Sequence, residues 1–201
     1  MTDDARICGL DIPDRDNLDP EMQAFVKGVT KKYGFVPNFV KAYATDNQRL
    51  RAFLGAYLEL QRPDSGLTHY EHELIALVSA ATNGCLYCTA HHGALLRGET
   101  GDALFTEIIS RNYRHAELSP RHRAMLDFAV KVNADAEHIT DEDRDALREA
   151  GFTDETIWNI AATASFYAGA NRMAQAVGLK PARAYLEMNR EPRPARRAKA
   201  G

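Results

Sequence analysis

Apolar residues recur every three or four positions along most of the chain, a spacing that is typical of amphipathic helices. Alternating runs of β-branched residues bounded by turns are missing from the sequence. The clearest segment runs from Thr68 to Thr82, where Thr68 and Glu71 have the spacing of a capping box and an apolar run follows. The pattern therefore predicts an all-α fold.

Other helices are predicted where a capping residue or a proline precedes helical spacing. One is expected from Pro20 to Gly34, then a short helix after Asn38 and a longer one that ends before Pro63. Three more helices are expected to begin at Pro120, at Thr140 and at Thr153.

Asn83-Gly84 interrupts the apolar pattern directly after the capped helix. The next helix is expected from about Cys85 to Arg97, with Gly98 in the left-handed position that ends it. The two helices should therefore form an αα-hairpin whose turn lies immediately before Cys85.

The length of 201 residues suits one domain with a proper core, which we place at residues 1–190. Residues 191–201 are basic, without apolar periodicity, and are expected to form a disordered tail. A net charge of −3 argues against a dedicated nucleic-acid-binding protein, which normally carries a basic face.

Two further features bear on where the protein is found. No segment approaches the roughly 20 consecutive apolar residues of a membrane helix, so no membrane partner is expected. The acidic start of the sequence has no apolar stretch of the kind found in secretory signals. We therefore expect a cytoplasmic protein.

The stretch NGCLYCTAHHG, residues 83–93, concentrates the reactive side chains of the chain. The sequence has three cysteines, an odd number that argues against a disulfide-stapled secreted scaffold. In a reducing compartment, the pair Cys85 and Cys88 indicates either redox chemistry or metal binding, whereas Cys8 has no partner nearby in sequence.

On a helix, Cys85, Cys88 and His92 share one face, because residues three, four and seven apart are neighbours. Unpaired peptide N–H groups at the helix start favour a thiolate, so both cysteine pKa values should lie below the reference of about 8.5. Glu73 and His92 lie about 15 and 12 Å from the turn, so they should be level across the hairpin. The constellation predicts proton transfer from a cysteine to His92, which Glu73 orients.

The spacing of Glu73, Cys85, Cys88 and His92 resembles that of the AhpD-like alkylhydroperoxidases of the carboxymuconolactone decarboxylase superfamily. Residues 67–92, LTHYEHELIALVSAATNGCLYCTAHH, are similar to the signature of this family, and residues 34–53 and 166–179 resemble its peroxidase-related subgroup. The resemblance implies an AhpD-like helical bundle with a CxxC at the N-terminus of a core helix.

The resemblance also implies roles for individual residues. Cys88 would be the peroxidatic cysteine, Cys85 the resolving cysteine, and Glu73 with His92 the proton relay of a thiol-dependent hydroperoxide reductase. Tyr87 stands where these enzymes often carry a histidine, and a tyrosine cannot shuttle protons near neutral pH as imidazole does. Members that decarboxylate a lactone lack the cysteine pair, which argues against that activity here.

Two alternatives remain at this point. Zinc is often bound through a CxxC spacing, and Cys85, Cys88, His92 and Glu73 could supply four ligands, although the redox interpretation is favoured. The protein could also be a non-catalytic helical oligomer that keeps a redox-sensitive or zinc-binding CxxC.

No cofactor is expected, because the sequence has no nucleotide-binding glycine loop, flavin motif or CxxCH haem-attachment motif. The electrons must then come from another protein or a small thiol. Neither the hydroperoxide nor this reductant can be named from the sequence.

Other polar residues receive weaker predictions. His69 and His72 are expected on the exposed side of their helix, and His91 is a possible supporting residue because it adjoins His92. Asn171 and Arg172 are expected to have a structural role in the last long helix.

A homo-oligomer is expected, because the segments 51–60 and 157–178 are apolar or small around much of their circumference. By resemblance, it would be a dimer, a trimer or a hexamer.

Overall fold

The computed structural model describes residues 6–12 and 18–191, and within these ranges the chain is helical with no strand. The all-α prediction is confirmed. The helices, numbered in chain order, are α1 (Pro20–Tyr33), α2 (Asn38–Tyr43), α3 (Asn47–Leu60), α4 (His69–Thr82), α5 (Leu86–Thr100), α6 (Ala103–Asn112), α7 (Pro120–Ala134), α8 (Asp141–Glu149), α9 (Asp154–Ala176) and α10 (Arg183–Glu187). Short 3-10 turns lie at Tyr113–His115 and Ala136–His138. In the described part of the chain, no helix is both long and apolar enough to cross a membrane.

Helix α4 lies at the centre of the fold. Its capping box forms as predicted: the Glu71 N–H donates to the Thr68 hydroxyl, and the Thr68 N–H donates to the Glu71 carboxylate. Every residue from Glu71 to Ala80 is buried, because α5, α7 and α9 all pack against this helix. Polar side chains on α4 therefore need partners inside the protein.

The prediction that His72 lies on the exposed side of α4 is wrong. Its side chain is fully buried, and its Nε2 lies 3.5 Å from the Ser65 hydroxyl. Burial lowers the pKa of His72 below its ordinary value. His69, at the start of the same helix, is about half exposed, as predicted.

The αα-hairpin is confirmed, with one correction. Gly84 adopts a left-handed conformation in the turn, and Cys85 is the N-cap of α5. The predicted end at Gly98 is wrong, because α5 continues to Thr100 and Gly101 takes the left-handed position. Gly98 instead packs against the Asn189 side chain, since a Cβ at Gly98 would lie 2.8 Å from Nδ2 of Asn189.

Helices α1, α2, α3, α7, α8 and α9 form where the sequence predicts them, whereas α6 and α10 were not predicted. The main core lies between α4, α7 and α9. A second apolar cluster surrounds the cysteine pair and includes Tyr185 of α10. A third cluster, around Met22, Leu50 and Leu54, joins α1 to α3.

Of the predicted domain, residues 1–5 and 13–17 lie outside the described residues, as do residues 192–201 of the predicted tail.

Candidate active site around the cysteine pair

The cysteine pair lies where α5 begins. Cys85 precedes the first helical residue, and its sulfur accepts a hydrogen bond from the Cys88 N–H at 3.2 Å. The two sulfur atoms are bonded to each other, and the Cα atoms are 5.3 Å apart. When the disulfide is reduced, the unpaired N–H groups and the helix dipole favour negative charge on either sulfur.

Glu73 and His92 meet across the hairpin, as the sequence predicts. The Glu73 Oε2 lies 3.0 Å from the His92 Nδ1, and both side chains are buried. This contact fixes the orientation of the imidazole ring and leaves Nε2 available for proton transfer. No hydrogen bond from the described residues engages that nitrogen.

A cavity of about 500 Å³ lies in front of α5, between α1, α2, α3 and α9. Cys88 and His92 line it, whereas Cys85 is not among the described residues that do. The rest of the wall is mostly aromatic and aliphatic; its large side chains include Phe39, Tyr43, Phe53, Tyr57, Phe166 and Tyr167. A molecule in the cavity would therefore meet Cys88 before Cys85.

Tyr167 belongs to the site although the sequence analysis did not single it out. Its ring centroid lies 4.8 Å from that of His92, and the two rings are nearly perpendicular. Burial, and then the charge of Glu73, raise the pKa of Tyr167 well above its ordinary value. Tyr167 is therefore protonated at neutral pH, with a hydroxyl that has no hydrogen-bond partner among the described residues.

Tyr87, the first supporting candidate, lines the cavity but points towards α2. Its hydroxyl accepts a hydrogen bond from the Phe39 N–H at 3.3 Å. Burial raises the pKa of Tyr87 above its ordinary value, so the side chain stays neutral. The geometry supports a packing role for Tyr87 rather than proton transfer.

His91, the second supporting candidate, also lines the cavity. Its ring stacks in parallel with that of Tyr87 and lies 4.8 Å from the ring of His92. Burial, and then the charge of His92, lower the pKa of His91 well below its ordinary value. His91 is therefore a neutral part of the wall beside His92.

Asn171 and Arg172 differ in their surroundings. Arg172 donates to the backbone oxygens of Ala168 and Asn133, which is the structural role that the sequence predicts. Asn171 is buried against the cavity, and neither atom of its amide has a hydrogen-bond partner among the described residues.

The four residues of the zinc alternative do not form a cluster of metal ligands in the disulfide-bonded protein. In the described ranges, no three ligand atoms of Cys85, Cys88, His92 and Glu73 all lie within 4.8 Å of one another. Three exposed residues do converge in this way, namely Asp135, Glu137 and His138. Cys8 lies apart from the pair as a buried free thiol.

The chain is similar to known proteins in sequence and in fold. The sequence profile of the carboxymuconolactone decarboxylase family matches residues 48–104, which include all four predicted catalytic residues. No curated protein matches the chain significantly.

The solved structures that are similar to the chain include these three. An uncharacterized peroxidase-related protein from Silicibacter sp. TM1040 is 39% identical over 92% of this chain and 97% of its own, with a TM-score of 0.88. The alkylhydroperoxidase AhpD core of an uncharacterized peroxidase-related protein from Ralstonia eutropha JMP134 is 38% identical over 94% and 99% of the two chains, with a TM-score of 0.88. The debrominase Bmp8 is 20% identical over 84% and 89%, with a TM-score of 0.72, and shares the fold.

Replacing His91 with phenylalanine is expected to reduce the sensitivity of the fold to acid. The folded protein keeps His91 neutral, whereas the unfolded chain binds a proton as the pH falls below about 6.5. The free energy of unfolding therefore decreases with falling pH, by at most about 1.4 kcal/mol per pH unit from this residue. Urea unfolding at about pH 7.5 and about pH 5 measures the difference.

The exposed His115, replaced in the same way, serves as the control. If His91→Phe and the unchanged protein lost the same stability between the two pH values, His91 would not be held neutral by the fold.

Proposed function

The chain belongs to the AhpD-like proteins of the carboxymuconolactone decarboxylase superfamily, and on this basis we propose that it is a thiol-dependent hydroperoxide reductase. The observation that carries the proposal is the position of Cys88. Its sulfur lies at the wall of the cavity, with Cys85 bonded to it and His92 one helical turn away.

In the first step, the Cys88 thiolate attacks the outer oxygen of a hydroperoxide. A sulfur–oxygen bond forms as the oxygen–oxygen bond breaks, giving a sulfenic acid on Cys88 and an alkoxide. The alkoxide takes the proton that His92 received from the Cys88 thiol, and leaves as an alcohol. Glu73 holds the imidazole in place during this exchange through its contact with Nδ1.

In the second step, the Cys85 sulfur attacks the sulfenic acid. A disulfide forms, the sulfur–oxygen bond breaks, and the hydroxide leaves as water with the proton of the Cys85 thiol. One hydroperoxide and two thiols thus become one alcohol, one water and one disulfide. A protein dithiol or a small thiol then reduces the disulfide by thiol–disulfide exchange.

The cavity favours an organic hydroperoxide over hydrogen peroxide as the substrate. Its volume of about 500 Å³ greatly exceeds that of hydrogen peroxide, and its wall is mostly apolar. An organic group that fills this space gains free energy from the burial of apolar surface, whereas hydrogen peroxide has no such group to bury.

The alternative is a helical oligomer whose CxxC is redox-sensitive without being catalytic. The two proposals predict different rates of thiol oxidation. A non-catalytic pair should react with a hydroperoxide no faster than free cysteine does.

Serine substitutions at the two cysteines should separate their roles. Cys88→Ser is expected to abolish hydroperoxide consumption, because the side chain at the cavity wall loses its nucleophile. Cys85→Ser is expected to leave a sulfenic acid trapped on Cys88, because no resolving thiol remains. Labelling with a dimedone-type probe and peptide mass spectrometry detect this species.

The Cys8→Ser variant is the matched control, since Cys8 lies outside the pair, and it should consume hydroperoxide normally. Sulfenic acid on Cys85 in the Cys88→Ser protein would mean that the two roles are reversed.

We also propose that the chain forms a homo-oligomer. Three large apolar side chains on α3 and α9 support this, namely Leu58, Trp158 and Met173, which are 60%, 74% and 50% exposed. Contacts with a second copy would remove this surface from water.

Size exclusion with light scattering should give the mass of two, three or six chains, and Trp158→Glu should increase the fraction of single chains. The mass of one chain at micromolar concentration would contradict the proposal.

A further inference from the structure

Glu73 contacts two histidines, of which the relay described above uses one. Its Oε2 lies against His92, while its Oε1 is buried without a hydrogen bond and lies 3.8 Å from the Nε2 of His69. His69 precedes Glu73 by four residues on α4, so the two side chains are neighbours on one face. A buried carboxylate thus lies between one imidazole at the cavity and a second imidazole outside it.

The second imidazole reaches solvent. The His69 side chain is 48% exposed, and its Nδ1 lies 3.6 Å from Oε2 of Glu99 on α5, which is also exposed. Ionisable groups therefore form a continuous series from the surface to the cavity, in the order Glu99, His69, Glu73 and His92. The separations between neighbouring groups are 3.6, 3.8 and 3.0 Å.

We propose that His69 is the outer proton acceptor of the relay, and this proposal rests on the proposed hydroperoxide reductase function. The Cys88 thiol gives its proton to the Nε2 of His92. The Nδ1 proton of His92 passes to Oε2 of Glu73. The carboxyl group then turns to present this proton towards His69, the half-exposed His69 side chain closes the 3.8 Å separation, and the proton passes to its Nε2. The proton that the thiol loses is then held on the His69 imidazolium, which is in contact with water.

The same path returns the proton. When the alkoxide forms, His92 donates its Nε2 proton. Glu73 then takes the proton back from His69, turns again, and returns it to Nδ1 of His92. No proton is gained or lost over this cycle, and each imidazole ends in its starting tautomer. Without His69, the thiol proton would have to stay on a buried histidine or a buried carboxyl group, where charge and polarity are costly.

His69 is suited to this role by its neighbours. The charged or titratable groups near it are Glu73 and His72 on α4 and Glu99 on α5. Carboxylate oxygens of Glu73 and Glu99 lie 3.8 and 3.6 Å from the two nitrogens of its ring, and burial lowers the pKa of His72 below its ordinary value. A proton delivered to His69 therefore lies between two carboxyl groups.

The test measures the reactivity of Cys88 with and without a peroxide. In the Cys85→Ser background, the pH profile of alkylation by iodoacetamide reports the thiolate fraction of Cys88 and needs no peroxide. Adding His69→Asn is expected to lower the alkylation rate near neutral pH about tenfold, equivalent to a shift of about one unit in the midpoint of the profile. Near pH 10, where the thiol ionises without help, the rates should converge. Circular dichroism on the same samples shows whether the variant stays folded.

Consumption of cumene hydroperoxide by the protein with both cysteines is then measured for His69→Asn, Glu73→Gln and the control His115→Asn. We expect His69→Asn to slow hydroperoxide consumption, as Glu73→Gln does, and His115→Asn to leave the rate unchanged. If His69→Asn left both the alkylation profile and peroxide consumption unchanged while Glu73→Gln slowed them, the relay would end at Glu73 and the proposal would be wrong. If His69→Asn shifted the alkylation profile but the unchanged protein consumed no peroxide, His69 would keep its role and the reductase function would fail.

Discussion

The contact between Glu73 and His92 is the constraint on which the rest of the site depends. A carboxylate on a helix that is buried on every side is costly unless another group in the interior pairs with it. His92 provides that group from the neighbouring helix, so the pair sets how α4 and α5 lie against each other. The same register places Cys88 one turn from His92, at the wall of the cavity. One hydrogen-bonded contact thereby connects the packing of the core to the position of the cysteines.

The two cysteines differ because of where the helix begins. Cys85 caps α5 and is covered by the second apolar cluster, whereas Cys88 lies one turn further on and borders the cavity. Both sulfurs are close to the positive end of the helix, but only Cys88 meets a molecule that enters from the apolar side. In the proposed mechanism, accessibility rather than intrinsic reactivity therefore distinguishes the attacking cysteine from the resolving one. Tyr87 and His91 complete the wall as neutral groups, because burial opposes charge on both side chains.

The local parts of this site could be predicted from the sequence, because helical spacing and the hairpin turn place Glu73 level with His92. Features that depend on contacts between distant parts of the chain could not be predicted in this way. His72 was expected at the surface, since nothing in the sequence shows that α4 has neighbours on every side. Gly98 was expected to end α5, whereas it packs against the side chain of Asn189, a residue that is distant in sequence. Tyr167 approaches His92 only because α9 returns across the hairpin.

The central claim is that Cys85 and Cys88 form one catalytic dithiol beside the cavity. The most direct test mixes the fully reduced protein with cumene hydroperoxide and follows both peroxide and free thiols with time. The account predicts that each chain consumes one equivalent of peroxide, much faster than free cysteine does, and loses two of its three thiols together. Oxidation at the rate of free cysteine, or the loss of a single thiol per chain, would contradict it.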